Sequence, residues 1–247
     1  MDWLFNFPFE VNLNTDAIDQ AVRGFAASYS SFFDGIKSAL TNFVGAINWV
    51  FSYIPWFALI GIVFFLSWKA HRRIRSGIFY SLLLCVIGAF GLWGLMNLTL
   101  SIVLAGVIIA LVIGLPIGVL ISGSEHANRI VRPILDMMQT MPVFVYLIPA
   151  VIFFGMGSAS AVIATVIYSM VPVIRLTSLG IRQVNAEVVE AACSFGSTRA
   201  QLLFKVQVPQ ALPTIMTGIN QTLMMAMSMV VTCSMIGARG LGNEVLI

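Results

Sequence analysis

The side chains in this chain that can do chemistry are few, and their spacing suits docking rather than catalysis. His71 and His126 are its only histidines, and both fall in stretches rich in Lys and Arg, where a solvated ring is the simplest reading. Cys85, Cys193 and Cys233 are isolated and make no C-x-x-C pair, so they read as small apolar fillers rather than a disulfide framework or zinc site. No Gly-Lys dipeptide occurs, which removes any P-loop able to cradle ATP phosphates. The most regular polar stretch is NAEVVEAACSFGSTRAQLLFKVQVPQALP, residues 185–213. Asn185 suits a helix N-cap, with Glu187 and Glu190 near the positive end of the dipole. Gly196 can take the left-handed conformation that ends this helix, and Thr198 with Gln201 spells a capping box that starts a second. Leu202, Leu203 and Val206 can lead the chain back to an apolar phase, and Pro209 and Pro213 are expected to stop the helix before the next apolar run. Ala191 and Ala192 present almost no side chain, so another protein surface can approach closely.

A second group of polar residues lies inside apolar sequence. Asn220, Met224 and Met227 are spaced for one helical face, and Gln221, Met225, Ser228 and Thr232 for an adjacent one. Two readings stay open: a lining for a solute path, or interhelical hydrogen bonds with Met as adaptable packing. Phe144, Tyr146, Tyr168 and Trp93 offer either cation-π contacts to a quaternary ammonium or ordinary core and interfacial packing. Asp136, close to Gln139, reads as a helix-organising or subunit-contact residue. Gly114 and Gly118, flanking Pro116, predict close helix contact or a kink.

The elements that must position these residues follow from composition. Of 247 residues, 59% are hydrophobic and 9% charged, against roughly 45–50% and 25% in soluble domains. That excludes a water-soluble enzyme or a disordered regulator, and the net charge of +3 is too small to point to nucleic acid. A bilayer core asks for roughly 20 apolar residues per helix. Six stretches are expected to be spans: Trp49–Trp68, Ile78–Met96, Leu98–Ser122, a hairpin of Val143–Met156 and Ala159–Ile174, and Thr214–Ile236. Ten of the thirteen Lys and Arg residues follow the first, third and fifth of these, while the connections near Asn97 and Gly157 are uncharged. The positive-inside rule then places the basic loops in the cytoplasm and the N-terminus outside it. The N-terminus lacks a basic region followed by an apolar one, so insertion is expected to rely on internal spans. Asp2, Glu10, Asp16, Asp19 and Asp34 outnumber Arg23 and Lys37 there, in keeping with an external tail. Ile18, Val22, Phe25, Tyr29, Phe32, Ile36, Leu40 and Ile47 predict an amphipathic helix that lies in the interface or packs against the rest of the chain. Three regions result: an external tail with this helix over 1–48, two spans and a basic loop over 49–97, and a core over 98–247.

Glu190, Ala191, Ala192, Gly196, Val206, Val208 and Pro209 together have the spacing E-A-A-x3-G-x9-aliphatic-x-aliphatic-P. This resembles the EAA loop of permease subunits in binding-protein-dependent ABC importers, with Val at two positions where that pattern has Ile and Leu. IGLPIGVLIS at 113–122, RPILDMMQTMPVFVYLIP at 132–149, VPVIRLTSLGIRQV at 171–184 and MSMVVTCSMIGARGLGNEVL at 227–246 are similar to the branch that takes up glycine betaine, proline betaine and related osmolytes. The resemblance covers about residues 98–247 and implies an all-α type I importer permease, multi-pass in a bacterial cytoplasmic (inner) membrane. It implies a coupling loop at about 178–213 and partners in the form of a second copy of the chain, two cytoplasmic ATPase subunits and an external substrate-binding protein. No cofactor would be bound by this chain, with ATP and Mg held by the partner ATPase. Choline, carnitine or trimethylamine N-oxide are alternative solutes, and an ATPase-independent osmotic channel is the alternative mechanism. The resemblance also implies one more membrane helix after GLGNEVL, so that the chain is expected to lack its last helix at Ile247.

Overall fold

In hydrocarbon an unpaired backbone N–H or C=O costs several kcal/mol, so an apolar chain is confined to helices or closed barrels. The computed structural model describes residues 15–246, and among them every regular element is helical. Asp2 and Glu10 lie outside the described residues. The helices are α1 (Thr15–Ser28), α2 (Ser30–Tyr53), α3 (Trp56–His71), α4 (Ile74–Ala89), α5 (Trp93–Ser122), α6 (Glu125–Thr140), α7 (Phe144–Phe154), α8 (Ser158–Arg182) and α9 (Ala186–Ser194). A short α10 (Arg199–Gln201) passes through a π-helical segment (Leu202–Gln207) into α11 (Val208–Cys233), and α12 (Leu241–Leu246) follows.

The core is built around α8. Sixteen of its 25 residues are buried, against eight of 26 in α11, so α8 is the helix enclosed by the others. Small residues make this possible. A Cβ on Gly114 of α5 would stand 2.5 Å from Val173 Cγ1, and one on Gly118 would stand 2.9 Å from the Ile174 carbonyl oxygen. On the other side, a Cβ on Gly218 of α11 would meet Val173 Cα at 3.3 Å and the Pro172 carbonyl oxygen at 3.4 Å. The expected role of Gly114 and Gly118 in close contact is therefore what the structure shows, with α5 unbroken through Pro116. Ala105, Ala110, Ala161, Ala164 and Ala226 continue the same thin packing, and all are fully buried.

The N-terminal periodicity divides between the two readings: Phe25, Tyr29 and Phe32 are exposed, and the stretch after them packs. Leu40, Phe43 and Ile47 of α2 lie against the core cluster and Val44 is buried within it, while Phe33 stacks on Phe153 at a centroid distance of 5.0 Å. This helix runs past the expected end at Asn48 to Tyr53.

Several expected spans have other limits. Trp49–Trp68 is not one helix: α2 and α3 meet at a 91° bend, because Pro55 lacks an N–H and holds Ile54 extended at φ −77°, ψ 120°. The break predicted at Asn97 falls instead at Phe90–Leu92, where Gly91 takes φ 74°. Asn97 sits inside α5 with 4% of its surface exposed. The turn before α8 is made as expected by Gly155 at φ 73° and Gly157 at φ 133°. However, α7 has 11 residues, about 16 Å of helix, too short to cross alone, and it forms a 93° bend with α6. Pro209 and Pro213 do not stop the second helix of the polar stretch, for Arg199–Ile236 is continuous over 38 residues. Thus three helices, α5, α8 and Arg199–Ile236, are long and apolar enough to cross a membrane, or up to five spans if each bent pair counts as one.

The α5–α8 contact gives a direct test. Gly118→Val is expected to lower stability by about 2–4 kcal/mol through overpacking against a backbone oxygen. Gly94→Ala, where a Cβ meets nothing within 4 Å, should leave the melting temperature of the detergent-solubilised protein unchanged or slightly raised.

Candidate functional site

The polar stretch folds as a helix, a turn and a second helix, and the termini predicted at Asn185, Gly196 and Thr198 are in place, while the stop predicted at Pro209 and Pro213 is not. The Asn185 side chain accepts from the Glu187 N–H at 2.9 Å, which satisfies one of the orphan donors at the start of α9. Glu187 occupies the first turn. At the other end Phe195 N–H donates to the Ala191 carbonyl at 3.2 Å and Ser197 N–H to the Ala192 carbonyl at 3.3 Å, closed by Gly196 at φ 78°. A side chain at that φ costs about 1–2 kcal/mol. The capping box is reciprocal: Gln201 N–H donates to Thr198 Oγ1 at 3.4 Å, and Thr198 N–H donates to Gln201 Oε1 at 3.0 Å.

The second helix then departs from the expected design. From Leu202 to Gln207 it is π-helical, and Val208 N–H donates to the Leu203 carbonyl, five residues back. A proline ring normally collides with the carbonyl four residues earlier, and for Pro209 that is Lys205. The wider π turn just before it relieves the collision and lets the helix continue into α11. Leu203 and Val208 return to a small cluster with Ile181, Ala211 and Ile215, which fixes this helix to the end of α8. Glu190 and Ala191 on α9 thus precede, and Val206 lies in the second turn of, a helix 38 residues long, about 57 Å at ordinary helical rise and nearly twice the bilayer core.

The knob is exposed. Glu187, Glu190 and Ala191 are exposed and Ala192 is half-buried. Phe195, beside Gly196, is 92% exposed, and Phe204 is also exposed. Neither aromatic residue was singled out in the sequence; a Phe beside the glycine of an expected turn was the available signal. Beneath α9 a cavity of 540 Å³ is lined by Glu190, Arg199, Leu202 and Gln207 together with Ile181 and Arg182 of α8.

Farther along α11, Asn220, Gln221, Met224, Met227 and Ser228 are all exposed, as are Met216, Val231 and Met235. The opposite face, with Gly218, Thr222, Ala226 and Met229, is buried. The polar and Met face is therefore the uncovered side of this helix, not part of the packing on α8. Tyr146 lies elsewhere. Its hydroxyl donates to the Met138 carbonyl across the α6–α7 bend, and its ring lies 5.9 Å from that of Tyr168. Phe144 is exposed at the start of α7. Tyr146 and Phe144 are thus on the α6–α7 unit rather than on the α11 face.

On the side of the basic loops, Arg175 of α8 binds Asp136 at 3.0 Å and Gln139 at 2.7 Å. Asp136 is thereby the helix-organising residue expected of it, joining α6 to α8. The convergence of Arg132, Arg175 and Arg182 around one cavity was not read from the sequence, where these residues served only to orient the spans. Their signal was Arg175, Ser178 and Arg182 at i, i+3 and i+7 on one helical face.

Comparison with known proteins agrees with this geometry. Residues 110–247 match the family described as binding-protein-dependent transport system inner membrane component. The chain is 48% identical over 230 residues to a glycine betaine transport system permease protein of Bacillus subtilis, covering 93% of this chain and 81% of the relative. It is 48% identical over 234 residues to a glycine betaine/carnitine transport permease protein of Listeria monocytogenes, covering 92% and 82%. A glycine betaine/proline betaine transport system permease protein of Escherichia coli is 42% identical, covering 94% of this chain and 64% of the relative. In three dimensions 59% of the chain superposes on 74% of a chain from the inward-facing MetNI methionine ABC transporter, with a TM-score of 0.53 and 23% identity, a likeness of fold.

Gly196→Val should leave membrane insertion intact while loosening the knob. Amide exchange across residues 186–201 is expected to quicken by about 5–30-fold, the equivalent of 1–2 kcal/mol, and exchange in α8 should not change.

Proposed function

The chain belongs to the binding-protein-dependent transport system inner membrane component family, and from that membership we propose that it is the membrane subunit of an ATP-driven importer for glycine betaine, proline betaine or a related quaternary-ammonium osmolyte. The observation that carries the substrate class is the 48% identity across 93% of the chain to a glycine betaine permease. Permeases of this family work in membrane complexes with an ATPase and a binding protein. In the proposed complex two copies of the chain meet two cytoplasmic ATPase subunits, which hold ATP and Mg, and an external binding protein delivers the osmolyte. The N-terminus lies outside the cytoplasm.

In this reading the knob of Glu187, Glu190, Ala191, Ala192 and Gly196 enters the ATPase, with Phe195 as its apolar tip. Val206, Val208 and Pro209 join that knob to α11. Motion of the ATPase is passed on because the helix that begins beside the knob continues, unbroken, to the exposed face of Asn220, Gln221, Met224, Met227 and Ser228. Amides can donate to the carboxylate of a betaine, and Met thioethers give a soft, polarisable surface to its methylated ammonium. That face has no ionised side chain to hold a zwitterion too tightly. Phe144 and Tyr146, on α7, are further candidates for the path. Carnitine is the second solute to test, since the Listeria relative's name includes it.

Uptake into proteoliposomes holding the chain, its ATPase and its binding protein decides the matter. Labelled glycine betaine should accumulate only with ATP and all three proteins, and Gly196→Val should abolish this uptake and its ATPase stimulation. Met224→Trp, on the exposed face, should reduce uptake at least tenfold with ATPase assembly retained. Release of betaine from vesicles holding the chain alone would instead favour an osmotic channel.

A further inference from the structure

Between α6 and α8, on the side of the basic loops, lies a cavity of 240 Å³. Its polar lining is Asn128, Arg132, Arg175, Ser178 and Arg182, and Ile174 belongs to an apolar wall. A wider groove of 670 Å³ shares Asn128, Arg132 and Arg182 with it and adds Arg129, Glu125 and Asp136. Four guanidinium groups therefore face two carboxylates. Asp136 is taken by Arg175 at 3.0 Å, and Glu125 approaches Arg182 at 3.5 Å. Arg129 and Arg132 make no ion pair among the described residues.

Ser178 borders the cavity and is 5% exposed, but its Oγ is closed off from it and, like the hydroxyls of Thr165, Ser169, Thr177 and Thr222, has no hydrogen-bond partner. The guanidinium groups can only donate, so the ligand they suit is an acceptor with several oxygens and a negative charge. Guanidinium forks match phosphoryl oxygens in this way. The surroundings are also amphiphilic: Leu179 at the cavity is exposed, as are Ile130, Ile134 and Met137 on α6.

We propose that this cavity is a phosphoryl-oxyanion site, held by Arg132 and Arg182 with the Asn128 amide beside them, which takes the phosphate of an anionic lipid headgroup or a free phosphate and ties α6 to α8. The site is separate from the solute path, and its occupancy is measured without transport.

The purified complex is titrated with phosphatidylglycerol or phosphatidylcholine, and retained lipid is followed by native mass spectrometry. In a second arm, the complex in phosphatidylcholine nanodiscs is melted with inorganic phosphate or with chloride at matched ionic strength. A headgroup source gives about tenfold greater retention of phosphatidylglycerol, reduced about tenfold by Arg132→Gln and by Arg182→Gln. A free-phosphate source gives a phosphate-specific rise in melting temperature that the same variants lose. Arg132 is exposed and makes no ion pair among the described residues, so Arg132→Gln should fold as well as the parent, and Arg132→Lys should keep much of the binding. Absence of both responses, or responses equal in parent and variants, overturns the proposal.

Discussion

The rest of the structure depends on how closely α5 and α11 approach α8. Lipid tails are as apolar as leucine, so membrane helices gain little by hiding apolar side chains from them, and must gain from dense mutual contact instead. Gly114, Gly118 and Gly218 permit that contact, since a single methyl group at any of them would press on α8. The consequence is a rigid three-helix unit in which α8 is the enclosed member and one side of α11 is left uncovered. α2 closes part of the remaining surface through Leu40, Phe43, Val44 and Ile47.

This unit anchors the base of the exposed helix pair. Leu203 and Val208 pack with Ile181 at the end of α8, so the base of the knob is fixed to both α8 and α11. The π-helical segment is the device that allows a proline to follow without a break, and such segments often mark functional positions in helices. In the proposed importer a knob on a flexible linker would lose its displacement in the linker, and one joined to a continuous helix would pass it on. The charged layer serves the same rigidity in a smaller way. The Arg175–Asp136 pair is partly exposed on both sides, and pairs of that kind contribute about 0–1 kcal/mol, so its value lies in orienting α6 more than in stability.

The caps and the turn of residues 185–201 were legible, whereas the π-helical segment and the passage through Pro209 were not. Asn185, Gly196, Thr198 and Gln201 do what their types and spacing predict, because caps and left-handed turns are decided within about five residues of chain. The helical fold was equally legible, because a composition this apolar leaves the backbone no other way to pair its polar groups. Where spans begin and end was less so. An Asn in an apolar run reads as a boundary, yet Asn97 is inside α5, since neighbouring helices, not its own polarity, decide where it sits.

The sequence by itself thus determined the class of protein and the caps and turn of the knob, which follow from short-range spacing and from partition between water and lipid. The tertiary structure decided the rest: that Pro55 turns the chain while Pro209 does not, that Met224 and Asn220 look outward while Met229 is enclosed, and that Arg132, Arg175, Arg182 and Ser178 share one cavity. Each of these depends on which helix lies beside which. That is a matter of packing between residues dozens of positions apart, and no periodicity within a single segment contains it.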